Sequence, residues 1–398
     1  MNSWRNTYRR FGAAALIVLT VAACGASNST WRPPAQGSGA VSTPAASAAH
    51  VALPDASGAK ASEGPRSTAA AATVDQITAD YTYKSELITP LAHLYGKFLD
   101  DFVIVTVANG STAPVKVIVA SEITGYTDKA SDTVTVAAGG SEEVRQNPSL
   151  SSTAIDGLST QHQADLHVTV SYIDTGVAKI VLDQTSQTLV TSRRDFPWAI
   201  SGFTQQESFN LVAAMITPND PGVEALIGAA RHYDPSGSMV SGYDSADDYN
   251  GSVWQRLSDI WQAETTDYNL AYVSTTVSFA AGQSQRIRLP SEVLDQGNGN
   301  CIETVLLYAS AAEALGMDAA LILIPGHAYV GISVDKTDQN YYFIETTMIG
   351  QATFAEATKE GLKEWNDAAS HMKAGEQDYG WVDVPTARKN GIIPIPWH

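Results

Sequence analysis

Three residues in the C-terminal half have side chains and spacings suited to nucleophilic catalysis: Cys301, His327 and Glu345. Cys301 lies in "GNGNCIETVLLYASAAEALGM", where a helix is predicted to begin, and the unpaired amides of a helix's first turn favour a thiolate. A thiolate nucleophile needs a base within hydrogen-bond reach, and the base needs an acceptor that fixes its tautomer. We therefore predict a Cys–His–Glu triad in which Cys301 attacks an amide or acyl carbonyl.

The base and the acid come from two successive apolar runs. His327 begins "HAYVGISV", and Glu345 lies in "NYYFIETTMI". The segment "DKTDQN" between them is a turn signal. A hairpin that turns at about residue 336 places His327 opposite Glu345 on the same face of the sheet. Glu345 is then positioned to stabilise the imidazolium.

Four further polar residues near Cys301 complete the predicted site. Acyl transfer needs a donor for the developing oxyanion, and besides the Cys301 amide either Gln296 or Asn298 could supply one. Glu303 is expected on another side of the helix from Cys301, in an ion pair with Arg288. One Cys, one His and one Glu lack the short-spaced ligand pair of zinc sites, so neither a metal nor a cofactor is predicted.

The element that must position Cys301 is a helix predicted over residues 300–316. Asn300 is placed to cap it and Gly316 to end it. Its expected buried face consists of Ile302, Val305, Leu306, Ala309 and Leu315. Because helical signals come first and β-rich runs follow, residues 199–398 are predicted to form an α+β domain with the Cys-bearing helix packed on an antiparallel sheet.

Two more helices are predicted ahead of this one. "TPNDPGVEALIGAARHY" has Thr217 or Asn219 in position to cap and Pro221 in the first turn. "SVWQRLSDIWQA" has large apolar residues at helical spacing, which indicates a core helix.

Residues 78–198 have a different pattern, rich in Val, Ile and Thr with frequent turn residues. The runs "FVIVTVANGSTAPVKVIVASEIT" and "DLHVTVSYIDTGVAKIVLDQTSQTLVTS" are typical of antiparallel strands. We predict an antiparallel β-sandwich, immunoglobulin-like in outline, that serves as a spacer or interaction module.

The N-terminus is predicted to be an export signal. Residues 1–23 combine three arginines with a short apolar run, and "VAAC" at residues 21–24 resembles the lipobox of bacterial lipoproteins. The resemblance implies lipidation of Cys24 after removal of residues 1–23, and anchoring at the extracytoplasmic face of a bacterial cell membrane. Residues 24–77 are dominated by Ala, Ser, Gly, Pro and Thr, which predicts a disordered tether. Cys301 would then have no cysteine partner.

The net charge of the chain argues against one class of partner. The formal charge is −18, and no Lys/Arg cluster follows residue 10. Nucleic-acid binding needs basic patches, so nucleic acid is not an expected partner.

The site residues also carry a resemblance to the transglutaminase-like superfamily of papain-type cysteine enzymes. The similarity is to a module that precedes a helicase-related region in large bacterial proteins, and it covers about residues 205–397. It is carried by "ITPNDPGVEALI", "FAAGQSQRIRLPSEVLDQGNGNCIETVLLYASAAEALGM", "LILIPGHAYVGI", "FIETTMIG" and "WVDVPTARKNGIIPIP". By position, the resemblance implies Cys301 as nucleophile, His327 as base and Glu345 as acid, where the superfamily more often has Asp.

The resemblance implies chemistry more firmly than substrate, since the superfamily includes peptidases, amidases, transglutaminases and inactive binding forms. The expected function is hydrolysis of amide or acyl bonds in an envelope protein or peptide through a thioester. Two alternatives stay open: a catalytically inactive binding or scaffold lipoprotein, and a redox-sensing thiol that has no need of Glu345.

Overall fold

The computed structural model describes residues 66–244, 249–274, 284–335 and 340–396. These residues belong to one compact unit. The predicted signal peptide (1–23), the lipidation site Cys24 and the predicted tether up to residue 65 lie outside the described residues. Within those residues, no helix has the length and apolar character needed to cross a membrane.

The first part of the described chain forms two five-stranded sheets. The ten strands are β1 (Ser67–Thr68), β2 (Ala72–Val74), β3 (Ile77–Tyr83), β4 (Glu86–Leu87), β5 (Val103–Asn109), β6 (Val115–Ile123), β7 (Ala130–Val136), β8 (Ser141–Gln146), β9 (His162–Asp174) and β10 (Val177–Val190). One sheet has the order β1-β3-β5-β8 with β2 also on β3, and the other has the order β4-β10-β9-β6-β7. All pairings are antiparallel except β4 with β10. A 3₁₀ helix at Thr89–Leu94 and helix α1 (Ser152–Ile155) lie between strands.

The alternating pattern of Val and Thr explains these strands. In β5, Val103, Val105 and Val107 are buried while the residues between them are partly exposed, as expected for a strand with one face on the core. The antiparallel β-rich region is therefore confirmed. Its immunoglobulin-like outline stays a prediction.

The boundary of this region differs from the predicted one. The first strand begins at Ser67, ahead of the predicted start at residue 78. Strands β1 and β2 both pair with β3 through their backbones. Short edge pairings need backbone hydrogen bonds more than large side chains, so the small Ala and Thr residues did not reveal them.

The second part adds helices and short strands. The helices are α2 (Gln205–Asn210), α3 (Pro221–Ala230), α4 (Tyr249–Thr266), α5 (Pro290–Gln296), α6 (Cys301–Ala314), α7 (Phe354–Ala374) and α8 (Val384–Lys389). The strands are β11 (Asp195–Pro197), β12 (Ala271–Tyr272), β13 (Ser284–Arg286), β14 (Asn298–Gly299), β15 (Ala319–Ile324), β16 (His327–Ser333), β17 (Tyr341–Ile344) and β18 (Gly380–Asp383). Further 3₁₀ helices occupy Leu211–Met215, Gly242–Asp244 and Thr346–Met348.

The sheet of the second part is antiparallel, in the order β17-β16-β15-β18. One face carries Val330, Ile332 and Ile344 in the main core, against which α6 packs. The other face carries Tyr329 and Phe343 in a separate aromatic cluster, which Trp365 of α7 covers. The sheet therefore has a helix on each face, and the mixed α+β class is confirmed.

The predicted domain boundary at residues 198 and 199 is bridged by backbone pairing. Strand β11 ends at Pro197 and pairs antiparallel with β13. The amide of Ile287 also donates to the carbonyl of Arg194 at 2.8 Å. The two parts are thus joined at the segment that leads into the site.

The predicted helix over residues 300–316 is confirmed, because α6 spans Cys301–Ala314 and Gly316 follows in the left-handed region. However, α6 is buried on every side from Cys301 to Ala312, since the sheet and helices α3, α4 and α5 enclose it. The predicted cap of α3 was wrong. Asp220, rather than Thr217 or Asn219, caps the helix: its side chain accepts from the amide of Gly222, the second residue of α3.

Candidate active site

Cys301 occupies the first position of α6. Asn300 and Glu303 form a reciprocal cap there: the Asn300 side chain accepts from the Glu303 amide, and the Glu303 carboxylate accepts from the Asn300 amide. The amide of Cys301 belongs to the same first turn, whose N–H groups have no partner within the helix. Cys301 is a free thiol that is 3% exposed. The helix dipole and these amides favour negative charge at its sulfur.

The loop before Cys301 is tied down by its backbone. Gly297 ends α5 with a φ of 62°, a backbone conformation that residues other than glycine rarely adopt. Residues 298–299 then pair in parallel with β12, and the Gly299 carbonyl accepts from Val273. Gly297 and Gly299 therefore shape this turn and the short strand that follows it.

His327 and Glu345 meet as predicted, but in a different register. Nε2 of His327 lies 2.7 Å from Oε2 of Glu345. In the hairpin, Val330 pairs with Ile344, so continuing the register places Glu345 opposite Tyr329 and diagonal to His327. A displacement of two residues leaves a side chain on the same face, which is why the predicted contact survives the wrong register.

Glu345 is held from both its side chain and its backbone. Its Oε1 accepts from the amide (2.9 Å) and the hydroxyl of Thr347, within the 3₁₀ turn that Glu345 caps. Its amide donates to the carbonyl of Ala357 in α7, at 3.1 Å. On the other side, the hydroxyl of neighbouring Thr346 contacts that of Thr304 in α6 at 2.9 Å. The segment bearing the acid is therefore linked to both helices that flank the sheet.

The surroundings of His327 favour the imidazolium. Burial lowers the pKa of His327, but contacts with Cys301, Glu345 and Glu364 outweigh it and raise the pKa to about 12. Because Nε2 faces Glu345, Nδ1 is the nitrogen available to Cys301. Burial raises the pKa of Glu345, but the contact with His327 lowers it by more, so the net shift of the pKa is downward. The pair is therefore arranged as imidazolium and carboxylate at neutral pH.

Glu364 is a site residue that the sequence analysis missed. It lies in α7, and its Oε2 is 3.6 Å from Nε2 of His327. The signal was available: Thr353 and Glu356 form a capping box, and Phe354, Ala357, Gly361, Trp365 and Ala368 have helical spacing and are buried. Those residues predict a helix with one face on the core, and Glu364 borders that face.

The expected ion pair of Glu303 with Arg288 is present. Nη2 of Arg288 lies 2.6 Å from Glu303 Oε2, and Nε and the backbone amide of Arg288 both donate to Oε1 at 2.9 Å. Nη1 of Arg288 donates to the side-chain oxygens of Gln296 (2.6 Å) and Asn298 (3.1 Å). These hydrogen bonds of Arg288 hold the loop that precedes Cys301 against the first turn of α6.

The same contacts bear on the two oxyanion candidates. The Asn298 amide nitrogen donates to the Gln296 carbonyl at 2.8 Å, so both ends of the Asn298 side chain are engaged within the loop. The amide nitrogen of Gln296 donates to no other described residue. That bond uses one of the two N–H groups of Asn298, so Gln296 is the less engaged of the two candidates, and both stay predictions together with the Cys301 amide.

A metal would have one set of ligands among the described residues. Nitrogen or oxygen atoms of His327, Glu345 and Glu364 lie within 4.8 Å of one another. The 2.7 Å between His327 and Glu345 suits a shared proton, whereas two ligands about 2.0–2.2 Å from a tetrahedral zinc stand roughly 3.3 Å apart. A metal would therefore need this pair to open.

Comparisons with known proteins supply no family. No family model matches the chain, and no curated protein matches it. A crystal structure of a protein from Archaeoglobus fulgidus is 10% identical, with 33% of this chain and 97% of that chain covered and a TM-score of 0.18. A solution structure of a late embryogenesis abundant protein is also 10% identical, covering 32% of this chain and 70% of that chain, with a TM-score of 0.17. These scores carry no argument about fold or function.

Proposed function

We propose that this chain is an exported cysteine enzyme that cleaves amide or acyl bonds through a thioester on Cys301. The observation that carries the proposal is that three side chains meet at one end of the sheet. The Cys301 thiol, in the first turn of α6, contacts His327, whose Nε2 lies 2.7 Å from Oε2 of Glu345. Thiol, imidazole and carboxylate in this order are the parts of an activated nucleophile.

The steps follow from the protonation of the pair. The Cys301 thiolate attacks the carbonyl carbon, and the Cys301 amide stabilises the oxyanion, with Gln296 as the second candidate donor. Nδ1–H of His327 donates its proton to the leaving nitrogen as the C–N bond breaks, which leaves a thioester. The neutral imidazole then takes a proton from water, the hydroxide attacks the thioester, and the C–S bond breaks to restore the thiolate. Glu345 stays ionised and balances the imidazolium.

The finer fold belongs to the same proposal. A Cys-bearing helix on one face of an antiparallel sheet, with His327 at the start of β16 and Glu345 directly after the neighbouring strand β17, supports assignment to the transglutaminase-like superfamily. We likewise propose that residues 1–24 supply a lipoprotein signal, that the membrane partner is bound by lipid on Cys24, and that the substrate is an envelope protein or peptide.

One observation favours the inactive binding form instead. Cys301 is only 3% exposed, while the side chain of His327 is 23% exposed. A substrate carbonyl must therefore reach the sulfur through a movement of the residues that cover it. If no such movement occurs, the site is a structural remnant and the chain a scaffold.

The test is alkylation of Cys301 by iodoacetamide between pH 5 and 9, followed at the Cys301 peptide by mass spectrometry. An ordinary thiol reacts appreciably only as pH approaches about 8.5. We expect rapid labelling that persists near pH 6 in the wild type and is lost there in His327→Ala. Identical profiles in the two proteins would contradict the enzyme proposal.

Glu345→Gln separates acyl transfer from redox sensing. The neutral amide no longer balances the imidazolium, so turnover of any amide or ester substrate should fall by about 10²-fold. Reversible oxidation of Cys301 by peroxide needs only an accessible thiol, and a variant that lost oxidation and turnover equally would not support the triad. Thr347→Val, which removes a hydroxyl contact to Glu345 without changing its charge, is the matched control.

A further inference from the structure

The contact between α7 and the end of β17 is unusually close. A Cβ on Gly361 would lie 2.6 Å from the carbonyl carbon of Phe343 and 2.8 Å from the amide nitrogen of Ile344. Only glycine fits there without displacing the helix. This approach lets the Glu345 amide reach the Ala357 carbonyl, and it places Glu364, one turn after Gly361, beside the triad.

Glu364 lies against another carboxyl group as well as against His327. Its side chain contacts that of Glu345, and its Oε2 is buried with no hydrogen-bond partner among the described residues. Two carboxyl groups in contact repel one another if both are ionised, and they attract if one proton lies between them. A proton shared by the two carboxyl groups would turn this repulsion into a hydrogen bond.

The surroundings assign that proton to Glu364. Glu345 has the shorter contact with Nε2 of His327, 2.7 Å against 3.6 Å for Glu364, and it also accepts twice from Thr347. Burial raises the pKa of Glu364; His327 lowers it, and Glu345 raises it again, so the net shift is upward. The pKa of Glu345 is lowered.

We propose that Glu364 is a positioning residue of the site, whose neutral carboxyl donates its O–H to Glu345 and holds that carboxylate against Nε2 of His327. Glu345 then keeps a fixed orientation, and the pair of glutamates carries one negative charge rather than two. The proposal rests on the cysteine chemistry proposed above.

Other charged and titratable groups face Glu364 from each packed element. On the sheet these are His327, Glu345 and Tyr329, whose hydroxyl is buried without a hydrogen-bond partner among the described residues. Burial, and then the charges of Glu364, Glu345 and Asp367, raise the pKa of Tyr329. On α7 itself, the charge of Asp367 acts on Tyr329, and Lys363 interacts electrostatically with Glu364.

The test compares Glu364→Gln, which keeps a neutral donor, with Glu364→Met, which keeps the length and removes the donor. Both are made in the full chain, with Glu360→Gln as control, since Glu360 is one turn away and pairs with Lys363. Two quantities are measured: the rate of Cys301 labelling by iodoacetamide at pH 6, and protonation of His327 by ¹⁵N NMR of histidine-labelled protein.

We expect Glu364→Gln and Glu360→Gln to label at rates near that of the wild type, with His327 still protonated at pH 9. Glu364→Met should label about tenfold more slowly because Glu345 and His327 lose their alignment, and His327 should lose its proton at lower pH. A near wild-type labelling rate in Glu364→Gln together with a slow rate in Glu364→Met cannot be explained if Glu364 only fills space.

Two outcomes overturn the proposal. Equal losses in Gln and Met variants would show that Glu364 acts as a charged carboxylate, and no change in either would show that it does not position Glu345. If the Met variant fails to fold, a loss in Glu364→Gln alone still contradicts a neutral donor. If wild-type labelling does not depend on His327, the proposed enzyme function fails, and the NMR titration still decides the role of Glu364.

Discussion

Glu303 and Glu345 are both 3% exposed, yet their partners give them different capacities. Glu303 accepts four hydrogen bonds, three from Arg288 and one from the amide of Asn300. The guanidinium is protonated at any physiological pH. Glu303 therefore faces a partner whose positive charge is constant.

Glu345 faces groups that titrate. Its Oε2 meets the imidazole of His327 and its neighbour is the carboxyl of Glu364, so protons can be redistributed within the cluster. The exposed fraction of the side chain therefore does not distinguish Glu303 from Glu345. The identity of the partner decides whether a buried carboxylate stabilises the fold or takes part in chemistry.

The largest effect is expected from Arg288→Ala, which removes the fixed partner. It leaves the Glu303 carboxylate buried with only two backbone amide donors, those of residue 288 and Asn300, and breaking a buried ion pair in this way costs about 3–5 kcal/mol in the free energy of unfolding. Urea unfolding measures the change. The double variant Arg288→Met with Glu303→Gln should recover most of the loss because no buried charge remains. If Arg288→Ala unfolds with the wild-type free energy, the ion pair of Glu303 with Arg288 does not stabilise the fold.

How much of this could be predicted from sequence depended on how local each signal is. The cap at Asn300, the helix starting at Cys301 and the pair Arg288–Glu303 involve residues within sixteen positions of one another, and all were predicted and observed. The pairing of β16 with β17 was predicted with the wrong register, because the register depends on the geometry of the turn and not on the apolar pattern alone.

Glu364 shows why the rest was not foreseen. Its own sequence context, "KEWND", looks like a solvated helix face. Its role arises from contact with residues about twenty and forty positions earlier, which only the packing of α7 on the sheet creates. A sequence pattern predicts that such a helix has a buried face, but not which strand end it meets.

Gly361→Ala tests how the second glutamate is held. Glu303 is anchored within its own helical turn, whereas the amide of Glu345 depends on α7 approaching Ile344 closely. The added methyl would force the helix outward, and we expect a loss of about 1–3 kcal/mol in unfolding free energy, together with slower Cys301 labelling.

Gly228 supplies the matched control. It is also a helical glycine, in α3, but a Cβ there meets nothing within 4 Å. Gly228→Ala should therefore raise the free energy of unfolding by about 0.5–1 kcal/mol. A stabilised or unchanged Gly361→Ala variant would show that the approach of α7 does not hold Glu345.

The most gradual effect is the pH dependence of stability, which follows from the titrating partner and accumulates over several pH units. His327 has its pKa raised to about 12 in the folded chain, against burial and through Cys301, Glu345 and Glu364, while an unfolded histidine titrates near ~6.5. Between these values the folded state binds the proton and the unfolded state does not. The resulting stabilisation is complete below about pH 6.5 and declines as pH rises, by at most about 1.4 kcal/mol per pH unit.

The measurement is urea unfolding of wild type and His327→Ala from pH 7 to 10. The free energy of the wild type should fall toward that of the variant as pH increases, whereas Arg288 contributes no slope because its guanidinium keeps its proton in this range. A constant difference between the two proteins would mean that His327 has an ordinary pKa, and the contrast between the two glutamates would then be one of geometry only.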